Sequence, residues 1–304
     1  VVPEKYYTLS PYKFPKEQGK VQASTTFGRD GQAVFKLAVA YRMTGDSKYA
    51  AAAARLLGAW ADGLKTIDAR NSNTALSVSS GFPTSLAGAD LLEGSVAFGL
   101  EERARFRKFV REVVVASRSA ELCMRRTNNW ANFGVVLSLT LGAYLDDDGL
   151  FDRGIKRWKE LVETQMTPEG VLHEEVKRPG GQDKRPGLMG IWYSNFSLMP
   201  ATYGAEVARV NGVDLFGYRT ASGKSLEVAY RKVVPWLKDP GSFPYFSGDP
   251  SALIGVKLIP YFELLVPRWA DGDAAAMLAA ERPVRAKYGF PNPTFTHGDL
   301  VEDR

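Results

Sequence analysis

Hydrophobic positions along this chain recur at helical spacing. Val34, Leu37, Ala38 and Tyr41 follow i, i+3, i+4, i+7, which puts them on one face of an α-helix. TGD (44–46) interrupts the pattern as a turn, with Ser47 expected as the N-cap of the next helix. Tyr49, Ala53, Leu56, Leu57 and Trp60 resume the apolar stripe, so the two segments read as an antiparallel helical hairpin. The pattern returns downstream. Phe106, Phe109, Val110 and Val113 mark one helix, and Phe133, Val136, Leu137 and Leu141 mark another. DDDG (146–149) breaks the chain, after which Ile155, Trp158, Val162 and Gln165 share a face. Leu198–Val210, Leu226–Leu237 and Leu253–Leu265 add further helices. Strand-like alternation is scarce; VLHEEV (171–176) is the best candidate. Roughly ten helices in antiparallel pairs predict an all-α curved stack or toroid of hairpins, with no period strict enough for a named repeat.

Three stretches read as long loops: KYYTLSPYKFPKEQGK (5–20), NSNTALSVSSGFPTS (71–85) and KRPGGQDKRPGLMG (177–190). Long loops on a helical scaffold commonly carry function.

Composition narrows the partners more than the fold. The 304 residues are 45% hydrophobic, enough for one large core or two modest ones. No apolar run of about 18 residues occurs, so no transmembrane helix is expected. The chain begins at Val1 with no visible signal peptide, as expected of a mature or trimmed form. Cys123 is the sole cysteine, which excludes an internal disulfide. A net charge of +5 and a pI near 9.1 favour a polyanionic partner without choosing between nucleic acid and an acidic polysaccharide. Zinc-finger spacing and basic blocks are lacking, which weighs against nucleic acid. Two histidines, His173 and His297, with one cysteine disfavour a zinc site. Nucleotide-binding glycine motifs are also lacking.

Three polar features stand out against the helical background: Asn128-Asn129, HEEVKR (173–178), and Trp192-Tyr193-Ser194-Asn195 at the start of a helix. Asparagine offers neutral donors and acceptors, and arginine offers a cationic fork for a carboxylate. A tyrosine beside a cation loses its proton more readily and serves as a base. Together these suit proton abstraction next to a carboxylate. Each also has an ordinary reading. An asparagine pair is commonly a helix cap or a core hydrogen-bond network, HEEVKR a solvated face, and a tyrosine beside tryptophan simple packing.

Six segments in order resemble the alginate lyase family of polysaccharide lyases, from about Tyr6 to Trp236. KYYTLSPYKFP is similar to the family's "YYS…PYWWP" opening, and LAVAYRMTGDSKYAAAAARLLGAW to its first hairpin. TNNWANFG resembles the "NNH" helix start, and TPEGVLHEEVKR the "PDG-LP-E-R" segment. YSNFSLMPATYGAEVARVNGVDLF and SLEVAYRKVVPW resemble the two helices that follow. The resemblance implies a single domain over 1–304, an incomplete (α/α)n toroid of antiparallel hairpins, with a lid at about 5–20. It implies β-elimination at a uronate in an acidic polysaccharide such as alginate or glucuronan, without metal or cofactor, by a periplasmic or secreted monomer. Asn129 matches the asparagine that neutralises the uronate carboxylate, Tyr193 the catalytic tyrosine, and Arg178 the arginine that supports its ionisation. Asn128, Trp130 and Trp192 fall at the substrate site, and Tyr6, Tyr7, Tyr12 and Lys13 in the lid. The first turn of the Asn129 helix is expected to face the cleft, with free backbone N–H groups adding a favourable dipole.

The chain departs from the family pattern twice. The family histidine after the asparagine pair is Trp130 here. PGGQDKRP lengthens the stretch between Arg178 and Tyr193, so Arg185 or Lys184 becomes an alternative cation. In mannuronate and glucuronate the C5 hydrogen and O4 share a face, so one tyrosine serves as base and then acid. In guluronate and iduronate they lie on opposite faces and a second group is needed. The missing histidine therefore favours mannuronate or glucuronate, unless His173 replaces it. Two rival functions remain. One is a glycoside hydrolase, which needs a carboxylic acid pair for which Glu174, Glu175 and Asp90 are available. The other is a non-catalytic polysaccharide-binding protein.

Overall fold

The computed structural model describes Thr8–Leu9 and residues 20–69, 72–254, 259–286 and 289–298. The lid residues Tyr6, Tyr7, Tyr12 and Lys13 lie outside the described residues. Helices dominate as the apolar spacing predicts. In order they are α1 (Lys20–Thr44), α2 (Ser47–Gly63), α3 (Ser72–Leu91), α4 (Leu100–Phe109), α5 (Ser119–Met124), α6 (Asn129–Leu145), α7 (Asp148–Gln165), α8 (Gly190–Val210), α9 (Leu226–Lys238), α10 (Phe262–Leu265), α11 (Gly272–Glu281) and α12 (Pro293–His297). A two-residue parallel pairing, β1 (Thr8–Leu9) with β2 (Thr66–Ile67), is the described sheet structure. No helix among the described residues is long and apolar enough to cross a membrane.

The chain forms two compact units. The first comprises residues 1–125, 133–154 and 288–291. Its core gathers Phe27, Val34, Leu57, Trp60, Phe82, Leu86, Phe98, Phe106, Phe109, Leu137 and Leu141. Phe27 stacks on Phe82 with ring centroids 5.4 Å apart, and Trp60 donates its indole N–H to Asp30 at 3.0 Å. The first hairpin forms as expected, but its cap is Asp46 rather than Ser47. Gly45 takes a left-handed φ of +71°, which ends α1 one residue earlier and lets the Asp46 carboxylate accept from the Lys48 N–H at 3.0 Å.

Residues 71–85, expected as a loop, belong largely to α3. Ala75, Val78, Phe82, Leu86 and Ala89 are buried at helical spacing among small polar residues, with Thr74, Ser79, Thr84 and Ser85 also buried. Small side chains let α3 approach α1 closely: a Cβ on Gly88 would come 2.7 Å from Val34 Cγ1. Tertiary packing here overrides weak helix propensity and an interior proline, Pro83.

The second unit comprises residues 126–132, 155–287 and 292–304. Trp158, Leu161, Leu172, Val176, Leu198, Tyr230, Tyr261 and Phe262 are among its buried residues. The Trp158 indole N–H donates to the Ala201 carbonyl at 2.8 Å, pinning α7 to α8. The expected strand at 171–176 is reduced to one bridge, Met166 with Leu172. The chain then coils, with the Glu175 and Val176 N–H groups donating back to Leu172 O and Arg178 N–H to Glu175 O. Among the described residues of the stretch expected as a helix over Leu253–Leu265, the α-helix is Phe262–Leu265. Pro260 lacks an N–H and disfavours helical backbone at the residue before it.

Candidate active site

The second unit contains the three segments singled out in the sequence. Asn128 is half-buried and caps α6: its side-chain oxygen accepts from the Trp130 N–H at 3.2 Å, and its carbonyl from the Ala131 N–H at 2.9 Å. Asn129 is fully buried. Its backbone N–H and its side-chain amide both donate to Glu175 Oε1, at 2.6 and 3.0 Å. The first N–H groups of α6 are therefore occupied, contrary to the expectation that they are free for a substrate. The ordinary readings of the pair, a cap and a core network, both describe what these two side chains do.

Glu175 is 2% exposed. Burial pushes its carboxyl above the ordinary 4.5, against the lowering effect of the two Asn129 hydrogen bonds and the Arg178 charge. Its second oxygen and the Asn129 side-chain oxygen are buried without a hydrogen-bond partner.

From Glu175 a run of backbone hydrogen bonds leads to Tyr193. Arg178 N–H donates to Glu175 O at 3.0 Å, Met189 N–H to Arg178 O at 3.0 Å, and Tyr193 N–H to Met189 O at 2.9 Å. The lengthened loop thus leaves and returns to the same place. The Arg178 guanidinium lies 4.1 Å from the Tyr193 ring centroid. Tyr193 is half-buried, with the Trp192 ring edge-on at 4.8 Å; Trp192 stacks on Phe196 at 4.4 Å. Ser194 and Asn195, next in the motif, are buried. Ser194 donates to Gly190 O, and Asn195 accepts from the Tyr261 hydroxyl at 2.6 Å. The turn carrying Arg178 sits directly on the start of α8, because a Cβ at Gly190 would come 2.2 Å from the Val176 carbonyl oxygen.

The other candidates are placed differently. Arg185 pairs with Asp183 at 2.6 Å and lies over Phe246, and Lys184 donates to Gly181 O. His173 is exposed, and its backbone N–H donates to Gln165 O at 3.3 Å. Trp130 is half-buried beneath the exposed Arg126 guanidinium, 5.6 Å from its ring centroid. Glu174 is exposed, Glu175 is engaged by Asn129, and Asp90 belongs to the first unit. No cluster of three or more metal-ligating side chains occurs among the described residues.

Two residues escaped the sequence reading as site components. Asn132 donates to Gln165 Oε1 at 2.9 Å and to Ser197 Oγ at 2.8 Å, and the Gln165 amide donates to the carbonyls of Thr127 and Asn128 at 2.9 and 3.0 Å. The one signal available was a second asparagine one helical turn after Asn129 on an otherwise apolar helix.

Comparison with known proteins gives a consistent result. A family model described as alginate lyase matches residues 6–243. An alginate lyase of Pseudomonas syringae pv. tomato is 29% identical over 167 residues, 54% of this chain and 40% of that protein. The chain thus spans less than half the length of that relative. The crystal structure of alginate lyase A1-III from Sphingomonas species A1 superposes with a TM-score of 0.71 at 19% identity, covering 90% of this chain and 76% of that one. A structure of alginate lyase A1-III complexed with tetrasaccharide gives 0.71 at 21% identity, covering 89% and 77%. These likenesses show the fold class expected from the sequence, the all-α toroid of helical hairpins.

Proposed function

The chain belongs to the alginate lyase family, and on that premise we propose that it is a polysaccharide lyase cleaving a uronate polymer by β-elimination. The observation that carries the proposal is the Arg178 guanidinium 4.1 Å from the Tyr193 ring, joined through the Glu175 turn to Asn129. A cation with no ion pair among the described residues, beside a half-buried tyrosine, suits a substrate with a carboxylate next to the carbon that loses its proton. The neighbour crystallised with a tetrasaccharide supports an oligosaccharide as the bound species.

In the proposed step Tyr193 removes the C5 proton of the uronate. The C5–H electron pair forms the C4=C5 double bond, the C4–O4 bond breaks, and O4 leaves with the proton returned by the same hydroxyl. Arg178 faces the developing negative charge, and the Asn129–Glu175 hydrogen bonds hold the turn that carries it. The cation is Arg178 rather than Arg185 or Lys184, which are engaged with Asp183 and Gly181. With Trp130 in place of the family histidine, one tyrosine serves both proton transfers on one face of the sugar. The favoured substrates are therefore mannuronate and glucuronate polymers, in a periplasmic or secreted setting.

Incubation with polymannuronate, polyguluronate, glucuronan and hyaluronan, followed by ultraviolet absorbance, tests the proposal. The expected outcome is rising absorbance from the unsaturated product on a mannuronate or glucuronate polymer, unchanged by chelator. New reducing ends without absorbance would identify a hydrolase and overturn it. Binding with neither signal on any of these polymers would identify a binder.

A further inference from the structure

We propose that Gln165 is a positioning residue for this elimination, acting through the turn that presents Asn128 and Asn129; the inference rests on the lyase reading above. Gln165 is the last residue of α7 and is 5% exposed. Its side-chain nitrogen faces two carbonyls, Thr127 O at 2.9 Å and Asn128 O at 3.0 Å. Both are pure acceptors, so the amide orientation is fixed and its oxygen must face Asn132. Asn132, 2% exposed, donates to that oxygen and to Ser197 Oγ. Ser197 stands one helical turn beyond Tyr193 on α8. The backbone carbonyl of Gln165 accepts from His173 N–H, at the head of the turn that carries Glu175 and Arg178.

One residue therefore touches the Asn128–Asn129 turn and the Glu175–Arg178 turn, and reaches the Tyr193 helix through Asn132. Arg157 Nη2 adds a hydrogen bond to Arg126 O at 2.9 Å, so three consecutive carbonyls of residues 126–128 point at α7 side chains. A carbonyl dipole turned toward a bound carboxylate would oppose binding and raise the barrier; holding all three on α7 prevents this. Loss of the Gln165 amide takes from Thr127 O its donor on α7 and leaves Asn128 O with the Ala131 N–H alone, so the turn is no longer tied to α7 at these two carbonyls.

The test uses Gln165→Met, which keeps the bulk and loses every side-chain hydrogen bond, and Gln165→Glu, which keeps the acceptor for Asn132 and loses the donors. On the polymer that the wild type cleaves, Q165M should lower kcat about 10- to 100-fold with KM changed less than about threefold, as expected for misplaced catalytic groups. In an Asn129→Ala background the same substitution should cost less than about twofold, because the two act on one element. The Q165E deficit relative to wild type should shrink as pH falls, since a protonated carboxyl regains a donor. A deficit equal in both backgrounds, or a Q165E deficit independent of pH, would mean a general structural role and overturn the inference. So would Q165M activity within about twofold of wild type. Should Q165M fail to fold, the Q165E pH profile decides alone. A wild type inactive on every uronate polymer would sink the lyase reading itself, and this inference with it.

Discussion

One oxygen of Glu175 accepts both the backbone and the side-chain N–H of Asn129, 46 residues away in sequence. This contact fixes the start of α6 to the turn that carries Arg178. It also places a carboxyl where burial raises its proton affinity above the ordinary 4.5. The folded state holds that proton to higher pH than the unfolded chain, so wild-type stability falls as pH rises from about 4.5 through the raised value. Glu175→Gln keeps an acceptor for Asn129 and does not titrate. Its melting temperature relative to wild type should rise across that window, and thermal scans of both proteins between pH 4 and 8 check it. A constant difference would mean that Glu175 titrates normally.

Tyr193→Phe should lower turnover by about 10³-fold, in the range for loss of a general acid–base. The ring, its contact with Arg178 and the fold should survive, so affinity for a uronate oligosaccharide by calorimetry should change by less than about threefold. Turnover retained near the wild-type level would assign the base elsewhere.

Arg178→Ala and Arg185→Ala separate the two candidate cations. R178A removes the guanidinium over Tyr193 and should lower kcat/KM by about 100-fold, the scale for an electrostatic stabiliser of developing charge. R185A breaks an exposed pair with Asp183 and should stay within about twofold. Initial rates by ultraviolet absorbance compare them directly, and the reverse ranking would move the cation into the lengthened loop.

Much of the helical architecture was legible because apolar residues at helical spacing require a buried face, as Val34 to Trp60 illustrate. Helix α3 was not, because its few large apolar residues, Val78, Phe82 and Leu86, are set among serine, threonine, alanine and glycine, residues that resemble a loop until a partner helix covers them. The motifs around Asn129, Arg178 and Tyr193 were visible as residue types, but their connection was not. Gln165 was correctly placed on the buried face of its helix, yet its acceptors lie 37 and 38 residues earlier, and nothing local reveals them. Pairing at that range is decided by how segments pack, and a single sequence does not record it.

Trp130→His restores an imidazole after the asparagine pair. If one tyrosine serves both proton transfers in the wild type, polymannuronate should be cleaved and polyguluronate hardly at all. The variant should raise the guluronate-to-mannuronate rate ratio at least about 100-fold, the lower end of the range for a general base. Separate assays on the two block polymers measure it. A wild type that prefers guluronate would remove the basis for the single-tyrosine step.

Gly190 has no chemistry to offer and touches no proposed substrate group, yet its missing side chain lets the Val176 carbonyl approach closer than any Cβ would permit. In a survey of random variants, position 190 should therefore tolerate substitution as poorly as Tyr193 does, and for an unrelated reason. Selection would record the two alike, one for what it does to a proton and the other for the space it leaves empty.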